Sequence, residues 1–194
     1  MTRSVTHLFD DYSQARNAVT ALERAGFTSS EVSVVSRYRD DGTLADEASG
    51  AGTGAAVGAI AGGGTGLLAA LGIIAIPGIG PLVAAGVLAT TLVGAAGGSL
   101  VGGLVGALTD YGVDERDAHV YSEGVRRGGT LVTVQADDAR VAEAQRILSA
   151  QEPVDIAARR KYYADAGWSE YDPTAPGYTQ EQIRKERELF GKRR

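Results

Sequence analysis

Between Ser4 and Phe9 apolar and polar residues alternate, and Val, Thr and Phe predominate, which predicts a short half-buried strand. Asp10 or Asp11 then offers an N-cap to a helix whose apolar positions Ala15, Ala18, Val19 and Leu22 recur at helical spacing, with Gly26 as its stop. Glu31 to Ser36 (EVSVVS) is a second strand, and the charged, turn-rich stretch from Arg37 to Glu47 reads as a linker. Further on, Val113 to Arg127 is amphipathic, with Asp114 and Glu115 suiting its N-terminal dipole and Arg126 and Arg127 its C-terminus. Gly128-Gly129 makes a turn into a third strand, Thr130 to Gln135. Asp137 is expected to cap another helix with Val141, Ala144, Ile147 and Leu148 on one face, and Val154 to Ala157 is expected as a last short strand.

From Ala48 to Thr109 the pattern changes completely, because no Asp, Glu, Lys, Arg or His occurs there. The chain's 27 glycines are concentrated in this segment. Gly50, Gly54, Gly58, Gly62 and Gly66 recur at strict spacing of four, as do Gly94, Gly98, Gly102 and Gly106. The two rows mirror each other about Gly78, inside the breaker Ile76-Pro77-Gly78-Ile79-Gly80-Pro81. The expectation is an antiparallel hairpin of two helices, running roughly from Gly54 to Ile76 and from Leu82 to Leu108, turning at Pro77, Gly78, Gly80 and Pro81. Each glycine costs a helix about 1 kcal/mol relative to alanine. Close backbone approach is the usual compensation, through dispersion and weak CH-to-carbonyl contacts. At 100° per residue a row spaced by four slants around its helix, so the arms must either wrap or present part of each row to another copy.

Each arm is long enough to span a hydrocarbon core of ~30 Å. The strongly apolar residues cluster near the turn, however, and the mean hydropathy of the whole chain is -0.06. Insertion in a bilayer and self-association in water both remain open on these residues. Met1 leads into Thr2-Arg3-Ser4 with no apolar signal region, so the expected location is cytoplasmic, with possible association or insertion at the inner membrane and no secretion.

With the uncharged segment removed, the order strand, helix, strand, helix, strand, helix, strand suits a ferredoxin-like α+β sandwich split by the hairpin. The organisation expected is thus a split α+β domain over residues 1–36 and 113–158, a hairpin over 48–110, and a tail over 159–194. In the tail, Tyr162, Tyr163, Trp168, Tyr171 and Tyr178 are interleaved with Pro173 and Pro176, which reads as an extended stretch pinned by its rings. Thr179 and Gln182 form a capping-box pattern for a final helix ending near Phe190.

Charge and chemistry add few constraints. The net charge of -5 divides into +3 from Arg159 onward and -8 before it, so the tail is expected to dock on the acidic body. The chain has no cysteine and only two histidines, His7 and His119, which removes thiolate sites and leaves little for a metal. Gly62-Gly63-Gly64-Thr65-Gly66 lacks the lysine of a phosphate loop, and Gly50-Ala51-Gly52-Thr53-Gly54 does not follow a strand, so nucleotide binding is not expected. His119, Tyr121 and Glu123 lie close in sequence but on different helical faces, which favours structural roles over an active site. No cofactor, metal, nucleic acid or small-molecule substrate is indicated.

The run Asp117 to Val134 (DAHVYSEGVRRGGTLVTV) resembles the bacterial general stress protein, or heat-induced stress protein, domain family. So do the opening His7 to Phe27 (HLFDDYSQARNAVTALERAGF), the turn Ala75 to Gly86 (AIPGIGPLVAAG), and the tail from Gly167-Trp168 through Tyr171-Asp172-Pro173 to Tyr178-Thr179. The resemblance spans nearly the whole chain. It implies a bacterial protein tied to general stress, with no established catalytic activity and no defined functional residues to carry over. The resulting expectation is a non-enzymatic stress protein that self-associates as a homo-oligomer or meets membrane lipid through its glycine rows. A soluble small-ligand-sensing module of ferredoxin-like type is the alternative, by analogy of fold alone.

Overall fold

A computed structural model of the chain describes residues 2–28, 30–37, 72–76, 80–85 and 103–191. The described residues form a mixed α+β fold: β1 (Thr2–Phe9), α1 (Tyr12–Arg24), β2 (Val32–Ser36), β3 (Gly72–Ile76), β4 (Gly80–Ala85), α2 (Gly103–Asp110), α3 (Glu115–Arg126), β5 (Thr130–Asp137), α4 (Val141–Ser149), α5 (Ile156–Asp165) and α6 (Gln180–Gly191). The sheet is antiparallel, in the order β1-β5-β2-β4-β3.

The alternation of side chains along each strand sorts the core into two layers. Val5 and Phe9 of β1, Val32 and Val34 of β2, and Val132, Val134 and Ala136 of β5 face α1 and α4, where Ala15, Val19, Leu22, Ala144 and Leu148 complete one cluster. Leu8, Val35 and Leu131 face the other way, onto Leu104 and Leu108 of α2 and Ala118, Tyr121 and Val125 of α3. The central strands are therefore covered on both faces, which explains why β2 is buried along its whole length.

Local signals act largely as the sequence indicates. Asp11 stands at the N-cap position of α1 without a side-chain hydrogen bond to the helix, and the Asp114 carboxylate accepts from the Arg116 amide at the start of α3. The N-cap position of α4 is Arg140 rather than Asp137, whose carboxylate accepts from the Arg140 amide. The capping box before α6 is closed in both directions: the Thr179 amide donates to Gln182 Oε1 at 2.8 Å, and the Gln182 amide to Thr179 Oγ1 at 3.3 Å.

Three expectations are corrected. Residues 72–76 and 80–85 are not helical: they form β3 and β4, and β4 joins the sheet beside β2. Gly80 and Pro81 accordingly lie in a strand. The mirror itself reappears, however, because every opposed pair from Gly72↔Ala84 to Ile76↔Gly80 is centred on position 78. Second, α2 begins at Gly103 with φ of 45°, in the left-handed region, so a right-handed helix does not run unbroken from Leu82 to Leu108. With α2 buried in the core, the C-terminal end of the uncharged segment is built into the module rather than set apart from it. Third, Val154 to Ala157 is not a strand. The Val154 amide makes one bond to the Leu8 carbonyl at 2.8 Å, after which Asp155 caps α5 by accepting from the Ala158 amide. Helix α5 thereby takes up Tyr162 and Tyr163, which the sequence reading places in an extended stretch.

Candidate functional site

Of the glycine rows, Gly106 lies in α2. Gly50, Gly54, Gly58, Gly62, Gly66, Gly94, Gly98 and Gly102, together with Pro77 and Gly78, lie outside the described residues. What the structure does describe is Arg37, the last described residue after β2, and α2, the C-terminal part of the uncharged segment. Both are held by the C-terminal tail.

Arg37 follows β2 and is buried rather than solvated. Its Nη1 donates to the carbonyl of Arg126 at 3.2 Å and to that of Tyr178 at 2.6 Å. The Tyr178 amide donates to the same Arg126 carbonyl at 3.3 Å. One carbonyl at the C-terminal end of α3 thus ties β2 to the tail. Arg126 Nη1 in turn donates to the Pro176 carbonyl at 2.8 Å.

Beneath this junction is a buried ionic cluster. Glu123 is fully buried and accepts from Arg126 Nε at 2.8 Å, Arg126 Nη2 at 2.5 Å and Arg127 Nε at 2.5 Å. Arg127 also donates to Glu186 of α6 at 2.5 Å, and its guanidinium lies 4.1 Å from the centre of the Tyr163 ring. Burial opposes the charge on Arg127, but Glu186 and Glu123 outweigh it and hold the guanidinium pKa above its usual value. For Glu186 burial prevails, and the carboxyl is pushed above the usual carboxylate range in spite of Arg127. A second buried pair joins Arg159 of α5 to Asp10 at 2.8 Å, with the Arg159 guanidinium 3.6 Å from the Phe190 ring centre. A cleft of about 470 Å³ opens beside it, between Asp10, Arg159, Tyr162 and Phe190. Arg160 pairs with Asp117, and Arg187 donates to the Gly128 carbonyl at 3.2 Å. The docking of the basic tail on the acidic body is present in these contacts.

Between the α2 residues Val105, Gly106 and Thr109 and the tail residues Glu170, Tyr171 and Pro173 lies a cleft of about 700 Å³, with His119 in its wall. His119 Nδ1 accepts from the Tyr171 amide at 3.1 Å, which anchors this stretch of tail to α3. Burial pushes the Tyr171 hydroxyl up to about 12. Tyr121 donates its hydroxyl to the Thr6 carbonyl at 2.9 Å. On the opposite face His7 meets Gln145 at 3.0 Å, and burial lowers its pKa. His119, Tyr121 and Glu123 therefore have separate partners and form no common site.

Sequence reasoning missed Arg37 and Glu186 and undervalued Glu123. The signal that could have found Glu123 is its spacing: Arg126 and Arg127 stand at i+3 and i+4. Among the described residues no group of His, Asp and Glu could hold a metal ion, and no helix is long and apolar enough to cross a membrane. No family model, curated protein or solved structure matches the chain.

Proposed function

We propose that this chain is a non-enzymatic bacterial general-stress protein whose uncharged glycine-rich segment mediates self-assembly, membrane association or both, with the α+β module as its anchor. The observation that carries the reading is the mirror about position 78. Glycines four apart reflect through it on both sides, and β3 and β4 pair about the same point. A chain that folds back there brings glycine opposite glycine for at least four pairs, and such rows offset their local cost only by close packing. The 62 residues without a charge, from Ala48 to Thr109, tolerate lipid as well as a protein interior.

The ferredoxin-like reading of the module is supported by the order β1-β5-β2, by α1 and α4 sharing one face, and by the single Val154 to Leu8 bond where a fourth strand would lie. The resemblance of Asp117 to Val134 and of the tail to general stress proteins supports the biological setting.

The test is fractionation of cells expressing the full chain, with an alkaline carbonate wash of the membranes and sedimentation velocity on the soluble and detergent-extracted material. The expected outcome is either carbonate-resistant membrane retention or a soluble particle larger than one chain. A soluble monomer at every concentration would refute the reading.

A further inference from the structure

Between Trp168 and Tyr178 the tail has no helix or strand, and its course over the module is set by single hydrogen bonds. The Trp168 amide donates to the Tyr163 carbonyl at 2.9 Å, and the Tyr178 amide to that of Arg126 at 3.3 Å. Between these points Asp172 bonds within the stretch: its carboxylate accepts from the amide and hydroxyl of Thr174, and its carbonyl from the Ala175 amide. The Tyr171 amide instead crosses to α3 and donates to His119 Nδ1 at 3.1 Å. The Tyr171 side chain, 5% exposed, joins the core cluster of α2 and α3.

The bond to His119 exists in one protonation state only. A ring nitrogen accepts a hydrogen bond while it carries no proton, so Nδ1 is bare and the proton of the neutral ring is on Nε2. An imidazolium has two donors and no acceptor, and its Nδ1–H cannot share a line with the Tyr171 N–H. Acceptors for it stand in the same cleft, where Glu115, one turn earlier on α3, and Glu170 of the tail line the wall with His119. Helix α2 presents Val105, Gly106 and Thr109 to this cleft and no charge. Arg116, three residues before His119, is exposed, and Glu123, one turn after it, is matched by Arg126 and Arg127. From the tail, burial keeps the Tyr171 hydroxyl protonated, with its pKa pushed up to about 12. The bonds from Thr174 hold the Asp172 carboxyl below the usual carboxylate range, so it stays charged near neutrality. The neutral ring thus has its partner in the tail backbone, and the charged ring has two carboxylates.

We propose that His119 is a proton-operated latch: neutral, it fastens the tail to α3 through the Tyr171 amide, and protonated, it releases that stretch and opens the cleft between α2 and the tail. The latch does not depend on self-assembly. Docking needs the deprotonated ring, so the contribution of this bond is complete at high pH and is lost as the pH falls through the range in which imidazole charges, about pH 8 to 5. Two other groups require controls in that range. His7 lies on the opposite face against Gln145, its pKa lowered by burial, and Glu186 lies under α6, its carboxyl raised by burial.

Hydrogen exchange on the full-length protein at pH 8 and pH 5, each rate divided by the intrinsic rate at that pH, reads the opening at the Tyr171 amide. Wild type should lose about tenfold protection there at pH 5, the size expected for one hydrogen bond, while the Val134 amide in the central strand β5 keeps its protection. His119→Gln, which cannot be protonated in this range, should show no dependence on pH at Tyr171, and His7→Gln should behave as wild type. A response that survives in His119→Gln overturns the latch, and so does equal protection of wild-type Tyr171 at the two pH values. If His119→Gln does not fold, wild type decides alone. The nitrogen-15 resonances of the His119 ring report its protonation, and the Tyr171 amide must lose protection over the same pH interval. A Tyr171 amide that does not follow the ring overturns the latch.

Discussion

Replacing Glu123 by alanine should lower the free energy of unfolding by about 3–5 kcal/mol, measured as a fall in the urea midpoint followed by Trp168 fluorescence and far-ultraviolet circular dichroism. Glu123 is fully buried, and the side chains of Arg126 and Arg127 are only 11% exposed. The carboxylate takes three hydrogen bonds from these two guanidiniums. Its loss removes the ion-pair partner of Arg126 and one of the two ion-pair partners of Arg127, Glu186 being the other, among the described residues. The cost is thus mainly that of desolvated positive charge left uncompensated, rather than of missing contact area. A change below about 1 kcal/mol would place the pair in solvent and contradict the geometry. Glu123→Gln keeps the shape but turns an NH2 donor toward a guanidinium, and should rescue little.

Gly128→Val is expected to cost about 2–4 kcal/mol, for two reasons that can be separated. Gly128 has φ of 92°, where a β-branched residue is strained. A Cβ there would also stand 2.7 Å from Ile183 Cγ2, and Ile183 is 1% exposed with little room to withdraw. The valine should push α6 off the module and break the Arg187 bond to the Gly128 carbonyl. Adding Ile183→Ala should recover the steric part and leave the backbone part. Limited proteolysis of the tail, compared among the three proteins, reads the undocking directly. Equal protection in all of them would show that α6 does not rest on Gly128.

Much of the module was legible in the sequence because its signals are local. Strand alternation in Ser4 to Phe9, helical spacing through Leu22, the cap at Asp114 and the capping box at Thr179 each depend on a few adjacent residues. The uncharged segment gave its symmetry but not its secondary structure. Gly72 to Ile76 is an apolar run with no polar position to set a period, so helix and strand read alike there. The β-branched Ile73, Ile74 and Ile76 beside Pro77 were the available hint of a strand. Near Val154 the deciding feature was the Asp155 cap, which starts a helix within a residue of the expected strand.

The tail site was less legible. Arg37 sits in a charged, turn-rich stretch, and its partner Tyr178 is 141 residues away. Nothing in the local pattern distinguishes it from a solvated arginine. Glu186 likewise lies among the charges of an amphipathic helix, and only the packing of α6 against Arg127 reveals it.

The central claim, that the glycine rows reflected about position 78 drive association, is tested most directly by sedimentation velocity of the full chain carrying Gly58→Leu and Gly98→Leu. These two positions oppose each other in the mirror, and a leucine at each prevents close backbone approach. The account predicts that wild type assembles, in water or in detergent extracts of membranes, and that the double variant sediments as a monomer with its α+β module still folded. An unchanged sedimentation profile and unchanged membrane retention in the double variant would contradict it.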